Sequence, residues 1–235
     1  MSRCAMNFKE LAARYDAWYR TPLGSLAHAL EMDAILALAE IKPGERVVDI
    51  GCGTGIYTVE VAQRGAHVIG VDPSMEMITI AQEKLRQAGL TGQFVCGSAE
   101  ALPFRSGKFD LALAVTSLCF VHSPDRAIEE MRRVLRPGGR LVLGELNRFS
   151  LWAFLRRLKG FFRETIYSQA HFWSRQELGR LLRAKGFHLD TVHTLLYFPP
   201  IPFRTFLKSY RFFEVVIKKL LPGTGAFIAM RAERR

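Results

Sequence analysis

The stretch of sequence that most constrains the fold runs from Val47 to Gly55. Its first four residues form a short, mainly apolar run, which is typical of a buried parallel strand. Three glycines follow at alternate positions, and a helical pattern begins at Ile56. Glycine allows positive φ and lets a ligand approach without a Cβ in the way, and the helix behind the loop offers free N–H groups at its N-terminus. This order of strand, glycine loop and helix predicts a nucleotide-binding turn.

The glycine spacing argues against two common nucleotide-binding patterns. The dinucleotide pattern G-x-G-x-x-G fits Gly51 and Gly53 but fails at Ile56, and the P-loop pattern G-x-x-x-x-G-K-[ST] is absent. The chain instead carries Asp-x-Gly-x-Gly-x-Gly, in which Asp49 precedes the first glycine by two residues. This pattern resembles the first motif of the class I S-adenosylmethionine (SAM) methyltransferases. The alternative is a glycine-rich turn that binds nothing.

The resemblance implies SAM as the cofactor. SAM carries an ammonium, a sulfonium and no phosphate, so a carboxylate beside the loop favours its binding. The contacts expected from this first motif are those of Asp49, Gly51, Cys52 and Gly53.

The acid at the end of the second predicted strand, Asp72, has two candidate roles. In such folds the acid that closes this strand receives the two hydroxyls of a ribose. The alternative role is the N-cap of the following helix, although Ser74 can cap that helix alone. We expect Pro73 and Met75, just beyond the acid, to contact the cofactor as well.

The segment Tyr-Asp-Ala-Trp-Tyr at residues 15–19 resembles the Y-D-x-W-[FY] segment that precedes the SAM domain in many small-molecule methyltransferases. The resemblance implies that such aromatics close over the methionine end of SAM, since a ring face stabilises a cation. Tyr15 is the candidate contact. For Trp18 we expect a structural role, packing its helix against the core.

Residues 97–104 resemble the family segment G-D-A-E-x-L-P-F, whose Asp meets the adenine amino group. Ser98 stands at the position of that Asp, and it can accept a hydrogen bond without carrying a charge. We therefore expect the adenine contact to involve Ser98, with support from the Ala99 backbone or from Glu100.

The segment after the fourth predicted strand (109–115) should lie at the reacting centre, because ligands of open α/β sheets bind beyond the carboxyl ends of the strands. Thr116 and Ser117 are therefore candidate cofactor contacts. The Asn/Asp-Pro-Pro-aromatic tetrapeptide of the nucleic-acid amino-methyltransferases is absent here, which argues against a nucleic-acid substrate. His122 is the first candidate for a general base and His171 the second; the alternative is that each histidine is structural.

The alternation of apolar strands with helical patterns predicts an α/β fold with a parallel sheet and right-handed crossovers. The family resemblance implies a Rossmann-like sheet of seven mostly parallel strands, with helices on both faces and the last strand antiparallel. Helices are predicted within 7–40 (two) and at 55–64, 74–88, 124–135 and 174–185. The predicted strands are 46–50, 67–71, 93–96, 109–115, 141–146, 186–197 and 225–231, and Arg136 to Arg140 is a predicted turn.

We expect a single domain over residues 1–235, with an N-terminal helical cap (1–40) and two helical lid insertions (147–173 and 199–222). Eleven of the 17 phenylalanines lie within residues 147–221. The net charge of +11 is distributed as −1 over residues 1–146, +10 over residues 147–221 and +2 over the remainder. This basic region indicates an anionic partner or surface; the alternative is a solvated face.

Composition excludes several classes of protein. No run of 18 apolar residues is present, so no membrane-spanning helix is predicted, and the first residues lack the apolar core of a signal peptide. The four cysteines form no C-x-x-C pair and have no partnered histidines, so we predict neither a disulfide framework nor a metal site. These features predict a cytoplasmic protein, with peripheral contact to an anionic membrane as an open possibility.

The motifs resemble most the small-molecule methyltransferases of ubiquinone and menaquinone biosynthesis. This resemblance implies methyl transfer from SAM to a small, apolar or aromatic acceptor by in-line displacement, with S-adenosylhomocysteine as product. The acceptor atom stays open between O, N, C and S. One alternative is a protein that only binds SAM, or that binds RNA or membrane through its basic surface. Another is arsenic methylation, which needs several clustered thiols.

Overall fold

The computed structural model describes residues 16–160, 170–203 and 207–235. Within them, seven strands form a single sheet. The strands are β1 Arg46–Ile50, β2 His67–Asp72, β3 Gln93–Cys96, β4 Phe109–Val115, β5 Leu135–Leu146, β6 Phe187–Leu195 and β7 Phe227–Arg234. Their order across the sheet is β3-β2-β1-β4-β5-β7-β6.

The pairing of the strands confirms the predicted fold class. Every neighbouring pair from β3 to β5 is parallel. The last strand, β7, lies between β5 and β6 and is antiparallel to both. The connections that join parallel strands contain helices, as parallel pairing requires.

Seven α-helices are described around the sheet. They are α1 Pro22–Ala39, α2 Ile56–Gln63, α3 Met75–Gln87, α4 Pro124–Val134, α5 Leu151–Gly160, α6 Arg175–Ala184 and α7 Tyr210–Leu220. A 3-10 helix, Leu118–Phe120, follows β4, and residues 16–19 are helical.

The core is divided into two layers by the sheet, because successive side chains of a strand point to opposite faces. Val47 belongs to the buried cluster that contains Ile35 of α1, whereas Val48 belongs to the cluster that contains Ile128 of α4. Helices therefore cover both faces, and the central strands are apolar on both sides, as expected of a buried parallel sheet.

The boundaries of β5 differ from the prediction. The strand begins at Leu135, whereas the sequence predicted a turn from Arg136 to Arg140 and a strand from Leu141. Leu135 pairs with Phe109, and the ladder resumes only at Arg140, which pairs with Leu111. The Pro-Gly-Gly segment leaves the ladder between these pairs, with Gly138 at a φ of 71°. The expected turn is thus an irregularity inside a longer strand.

The N-terminal cap is described from residue 16 onward, so most of the first helix predicted within 7–40 lies outside the described residues. The second helix is α1, which begins at Pro22. The Thr21 Oγ1 accepts a hydrogen bond from the Gly24 N–H at 3.0 Å. A threonine N-cap followed by proline is a favoured helix start.

The two predicted insertions meet at Phe198. The Trp152 Nε1–H, on α5, donates to the Phe198 carbonyl oxygen at 2.7 Å, and the two rings lie 5.9 Å apart. The Phe198 ring also lies 6.2 Å from that of Tyr210, at the start of α7. The segments around α5 and α7 thus pack on one buried side chain.

Candidate active site

A cavity of about 570 Å³ lies at the carboxyl ends of the central strands. The loops after β1, β2, β3 and β4 form one side of it, and α1 and α5 contribute to the other. Twelve of the predicted site residues line this cavity. They are Asp49, Gly51, Cys52, Gly53, Asp72, Pro73, Ser98, Ala99, Glu100, Thr116, Ser117 and His122.

The glycine loop has two positions that use the absence of a side chain. A Cβ on Gly51 would lie 2.3 Å from the Ser117 Cβ, and the φ of this residue is 71°, so the loop after β1 packs directly on the loop after β4. At Gly53, with a φ of 52°, an added Cβ would meet no heavy atom within 4 Å. The backbone is therefore open to a ligand at Gly53.

Asp72 holds the glycine loop to β2. Its Oδ2 accepts from the Gly53 N–H at 2.9 Å and its Oδ1 accepts from the Ser74 N–H at 2.9 Å. The N-cap of α3 is Ser74, whose Oγ accepts from the Met77 N–H at 3.2 Å. Burial raises the pKa of Asp72, and the two backbone N–H groups oppose that rise. Its carboxyl group is thus fixed at the cavity wall without serving as the cap.

Asp49 lies deeper, at the end of β1, and is 2% exposed. The Thr58 hydroxyl on α2 donates to its Oδ2 at 2.6 Å. Burial raises the pKa of Asp49 to about 6, and the charge of Asp72 adds to the rise while the hydrogen bond from Thr58 opposes it. The sequence placed Asp49 in the motif but did not reveal Thr58, which lies nine residues further along.

The loop after β3 is organised by Glu100. The Ser98 Oγ accepts from the Glu100 N–H at 3.2 Å, and one Glu100 carboxylate oxygen accepts from the Ser123 N–H. Ser98 and Glu100 therefore hold each other at the cavity edge. Glu100 also ties this edge to the start of α4.

The loop after β4 is held by an acid that the sequence analysis missed. Glu145, on β5, is fully buried, and its Oε1 accepts from the Leu118 N–H at 2.8 Å. Burial raises the pKa of Glu145 to about 8. Just before this contact, Thr116 has a φ of 49°, a strained value for a residue with a side chain. The sequence signal was an acid near the end of an otherwise apolar strand.

The two predicted histidines lie in different surroundings. His122 lines the main cavity and also a second cavity of about 390 Å³, which His171 lines as well. The His171 Nε2 lies 3.2 Å from the Glu177 Oε1 and 3.4 Å from the Arg148 Nη2, and its ring packs 4.3 Å from that of Trp173. The structure places His171 in a polar cluster outside the main cavity, and His122 at the boundary between the two cavities.

The segment before α1 is anchored to the glycine loop. The Thr54 Oγ1 donates to the Asp16 Oδ1 at 2.9 Å, and the Lys84 Nζ forms an ion pair with the Asp16 Oδ2 at 2.7 Å. This anchor places Trp18 and Tyr19 in the cavity wall. This anchor could not be predicted from local sequence patterns, because Asp16 is 38 residues from Thr54.

One predicted contact, Met75, is not found in the cavity, and another cannot be placed. Tyr15 lies outside the described residues. Met75, at the start of α3, is 56% exposed and does not line the cavity; Met77, two residues later, lines it instead. The expectation that Trp18 packs on the core holds, since it contacts the buried cluster of α1 while also lining the cavity.

The chain was compared with known proteins. A family described as "Methyltransferase domain" matches residues 48–143. An uncharacterised protein of Mycobacterium tuberculosis is 35% identical over 190 residues, which cover 80% of this chain and 62% of the relative. A ubiquinone/menaquinone biosynthesis C-methyltransferase of Vibrio vulnificus is 34% identical over 154 residues, which cover 63% of this chain and 58% of the relative. A SAM-dependent methyltransferase of Thermotoga maritima, described as a possible histamine N-methyltransferase, has a solved structure with a TM-score of 0.72; it is 29% identical, with 97% of this chain and 98% of that one covered.

Residues 48–143 match the methyltransferase-domain family, and the fold is similar to that of the Thermotoga SAM-dependent methyltransferase, so the chain is similar to the class I SAM-dependent methyltransferases. Within that class it is similar to the ubiquinone/menaquinone-biosynthesis enzymes, as the motifs predicted. The chain spans 62% and 58% of the length of the two curated relatives.

The cavity residues fit SAM, the cofactor of this family. The buried Asp72 carboxyl group beside an open glycine backbone suits a ribose with two hydroxyls. The Ser117 Oγ is a further polar group at the wall, buried and without a hydrogen-bond partner among the described residues. Individual cofactor contacts stay predictions.

Proposed function

We propose that the protein transfers a methyl group from SAM to a small, apolar or aromatic acceptor. The observation that carries this proposal is one cavity that joins the carboxyl groups and glycine loop at the strand ends to an aromatic and apolar wall. That wall is formed by Trp18, Tyr19, Tyr57, Leu146 and neighbouring side chains. A pocket that is mostly apolar with a few placed polar groups is typical of a small-molecule site.

The strand ends are proposed to bind and orient the cofactor. When bound, SAM supplies a methyl group made electrophilic by its sulfonium. In this proposal Asp72 accepts hydrogen bonds from the ribose, Ser98 and Ala99 contact the adenine, and the glycine loop passes beside the methionine part. Much of the rate acceleration then comes from holding the acceptor atom in line with the methyl group.

The acceptor is proposed to be aromatic, in the manner of a quinol. The Vibrio relative is named for ubiquinone and menaquinone biosynthesis, which supports this class. Burial raises the pKa of Cys52, which lines the cavity, and of Cys119, in the segment after β4, so neither is an activated thiolate. This weighs against arsenic chemistry, which would need clustered reactive thiols.

The test is transfer of tritiated methyl from SAM into extract of the host cell, with products separated by solubility. The expected result is label in the organic extract, lost in the Asp72→Ala variant. Label confined to water-soluble products would contradict an apolar acceptor. Tight SAM binding with no label in any fraction would instead favour the alternative of a protein that only binds SAM.

We also propose that the lid helices contact an anionic membrane surface, from which an apolar acceptor would be drawn. Among the described helices, none combines the length and apolar character that crossing a bilayer requires. Several large apolar side chains in and beside α5 and α7 are nevertheless exposed, each by 47% or more. They are Phe149, Leu151, Phe154, Leu158, Phe203, Phe212, Val215, Leu220 and Leu221.

The charge of this region supports the membrane proposal. Residues 147–221 carry a net charge of +10, so basic side chains accompany the exposed apolar ones. A basic helix with an apolar face binds in the interfacial plane of a bilayer, and each basic residue near an anionic surface contributes about 1 kcal/mol. The RNA alternative would use the same basic residues, but five of the nine exposed side chains are aliphatic and have no ring to stack on a base.

The membrane proposal is tested by co-sedimentation with vesicles of phosphatidylglycerol or of phosphatidylcholine. Binding should be stronger to the anionic vesicles, decrease with added salt, and weaken in a Phe154→Ser/Phe212→Ser variant. Met75→Ser, which removes an equally exposed side chain from α3, is the matched control. Absence of binding to anionic vesicles at low salt would contradict the proposal.

A further inference from the structure

The acceptor side of the cavity contains a buried acid, Glu31. This residue lies on α1 and is 8% exposed, yet it lines the cavity. One turn further along α1, Ile35 packs over Gly144 of β5, where an added Cβ would lie 3.0 Å from the Ile35 Cδ1. Leu146, two residues beyond Gly144 at the carboxyl end of β5, also lines the cavity. Glu31 therefore lies above the strand end where an acceptor would meet the cofactor.

The carboxyl group of Glu31 has no hydrogen-bond donor within the part of the chain that the structure describes. Among the described residues it accepts no hydrogen bond and forms no ion pair. Burial raises its pKa to about 8, against the attraction of Arg156, which lowers it. A buried carboxyl group without a partner is costly to the folded state. Such a cost is understandable where a ligand supplies the missing hydrogen bond.

The second charged group in this wall is Arg156, on the lid helix α5. Its guanidinium carbon lies 5.5 Å from the centre of the Trp152 ring, and its charge acts on Glu31 across the cavity. As far as the described residues show, the acceptor side is an apolar and aromatic wall with the carboxyl group of Glu31 and the guanidinium group of Arg156.

We infer that Glu31 is the residue that accepts the hydroxyl proton of the quinol-like acceptor. This inference rests on the proposed function and adds a catalytic residue to it. A thioether or an alkene has no acidic proton to offer a carboxylate. A phenol or enol offers an O–H donor to Glu31, and the anion left after proton transfer is balanced by Arg156.

Proton transfer to Glu31 is proposed to make the acceptor nucleophilic. The O–H bond of the acceptor breaks, the proton goes to a carboxylate oxygen of Glu31, and the electron pair stays on the acceptor, shared between its oxygen and the conjugated carbon. That pair forms the new bond to the methyl carbon, and sulfur keeps the pair of the bond that breaks. If the new bond is to carbon, that carbon then loses its proton to water, and the acceptor oxygen takes up a proton, which restores the hydroxyl group. Glu31 returns its proton to solvent when the product leaves.

The experiment measures binding, so its readout is independent of turnover. The full chain is saturated with S-adenosylhomocysteine and titrated by calorimetry with 4-methylphenol and with its methyl ether, 4-methylanisole. The measurement is made at about pH 9, where the phenol stays neutral and Glu31 is mostly ionised. A hydrogen bond to a charged group predicts that the phenol binds about tenfold more tightly, or better, than the ether.

Three further measurements complete the test. Glu31→Gln should reduce the preference for the phenol to about threefold or less, because a neutral amide is the weaker acceptor. Glu129→Gln, on α4 and outside the cavity, should keep the full preference. In the unmodified chain the preference should also shrink at about pH 6, where Glu31 becomes protonated.

Two outcomes would overturn the inference. One is an equal affinity of the unmodified chain for phenol and ether; the other is an unchanged preference in Glu31→Gln. Both variants must bind S-adenosylhomocysteine as the unmodified chain does, which shows that they are folded. Failure of the unmodified chain to bind S-adenosylhomocysteine, or to label any acceptor in extract, would contradict the proposed function instead, so the two failures are distinguishable.

Discussion

The strand edge (the loops after β1, β2, β3 and β4) and the lid (the segments around α5 and α7) are built in opposite ways. At the strand edge two acids are buried and held by short polar contacts, Asp49 by Thr58 and Asp72 by two backbone N–H groups. In the lid, α7 has no buried side chain, and both α5 and α7 expose apolar residues. The strand edge is therefore preorganised, whereas the lid leaves part of its apolar surface uncovered by the residues that the structure describes.

The family match follows the same division. It covers residues 48–143, which include the strand edge and stop before the lid. The family model thus matches the cofactor side of the cavity. The groups proposed to choose the acceptor, Glu31 and Arg156, lie on either side of the matched region. Differences in acceptor among relatives are expected to reside in these flanking segments.

The largest predicted effect concerns Glu145 beneath the strand edge. Its pKa of about 8 in the folded chain lies above the ordinary 4.5, so the folded state binds more protons between these values. Stability should therefore fall as pH rises through this window, by an upper limit of about 5 kcal/mol. Glu145→Gln keeps an acceptor for the Leu118 N–H without a charge, so the variant should be more stable than the unmodified chain at about pH 9 and similar near pH 5.

Denaturant titration across this pH range measures the effect. Glu214→Gln is the matched control in the lid. Glu214 is half-buried, and burial raises its pKa too, but its Oε1 accepts from the Tyr197 N–H at 2.6 Å. A smaller pH-dependent difference is expected there. If the free energy of unfolding changes with pH in the same way for Glu145→Gln and for the unmodified chain, the Glu145 carboxyl group is not in a water-excluded environment.

A second prediction compares two glycines of the same loop. Gly51→Ala places a Cβ 2.3 Å from the Ser117 Cβ at a φ of 71°, and should lower the free energy of unfolding by about 4 kcal/mol through backbone strain and overpacking. Gly53→Ala has a φ of 52° but open space around it, so only the backbone cost of about 1–2 kcal/mol applies. Equal losses in urea titration would contradict a tightly packed loop at Gly51.

A third prediction concerns the ribose. Asp72→Ala should weaken SAM binding by about 1–3 kcal/mol, because charge-assisted hydrogen bonds are lost. Isothermal titration with SAM measures this. Glu76→Gln, which removes an exposed acid four residues away on α3, should leave the affinity unchanged. An unchanged affinity for SAM in Asp72→Ala would show that Asp72, at the end of β2, does not bind the ribose.

The sequence predicted the strand edge well because its signals are local. Apolar runs, alternate glycines and terminal acids act within a few neighbouring residues, so the strands up to β4 and twelve cavity-lining residues follow from reading the chain in order. The Asp16–Thr54–Lys84 anchor and the Glu145–Leu118 contact join residues 27 or more positions apart. Only the folded arrangement brings such pairs together.

Glu31 and the lid illustrate two further limits. Helical spacing puts Glu31 in register with the buried Ala27 and Ile35, which was a readable signal of a buried acid that the sequence analysis did not use. For α7 the pattern predicted an amphipathic helix, but a pattern cannot tell whether the apolar face meets the core, a membrane or a ligand. The exposure of Phe212 shows that this side chain does not pack on the core that the structure describes. It does not distinguish a membrane from a ligand.

The smallest predicted effect is the stability change on removing that ring. Phe212 is 64% exposed, so Phe212→Ser should change the free energy of unfolding by less than about 0.5 kcal/mol. Trp152→Ala, on the buried side of α5 and hydrogen-bonded to the Phe198 carbonyl, should cost about 3–5 kcal/mol. Together the two substitutions test whether the lid is held to the rest of the chain by its inner side alone or by its whole surface. If urea titration shows a loss of 2 kcal/mol or more for Phe212→Ser, the α7 face is covered by the chain itself, and the contrast between a fixed strand edge and an open lid fails. A near-zero loss together with weaker binding to phosphatidylglycerol vesicles would assign that face to the membrane, because the same ring would then matter for association and not for folding.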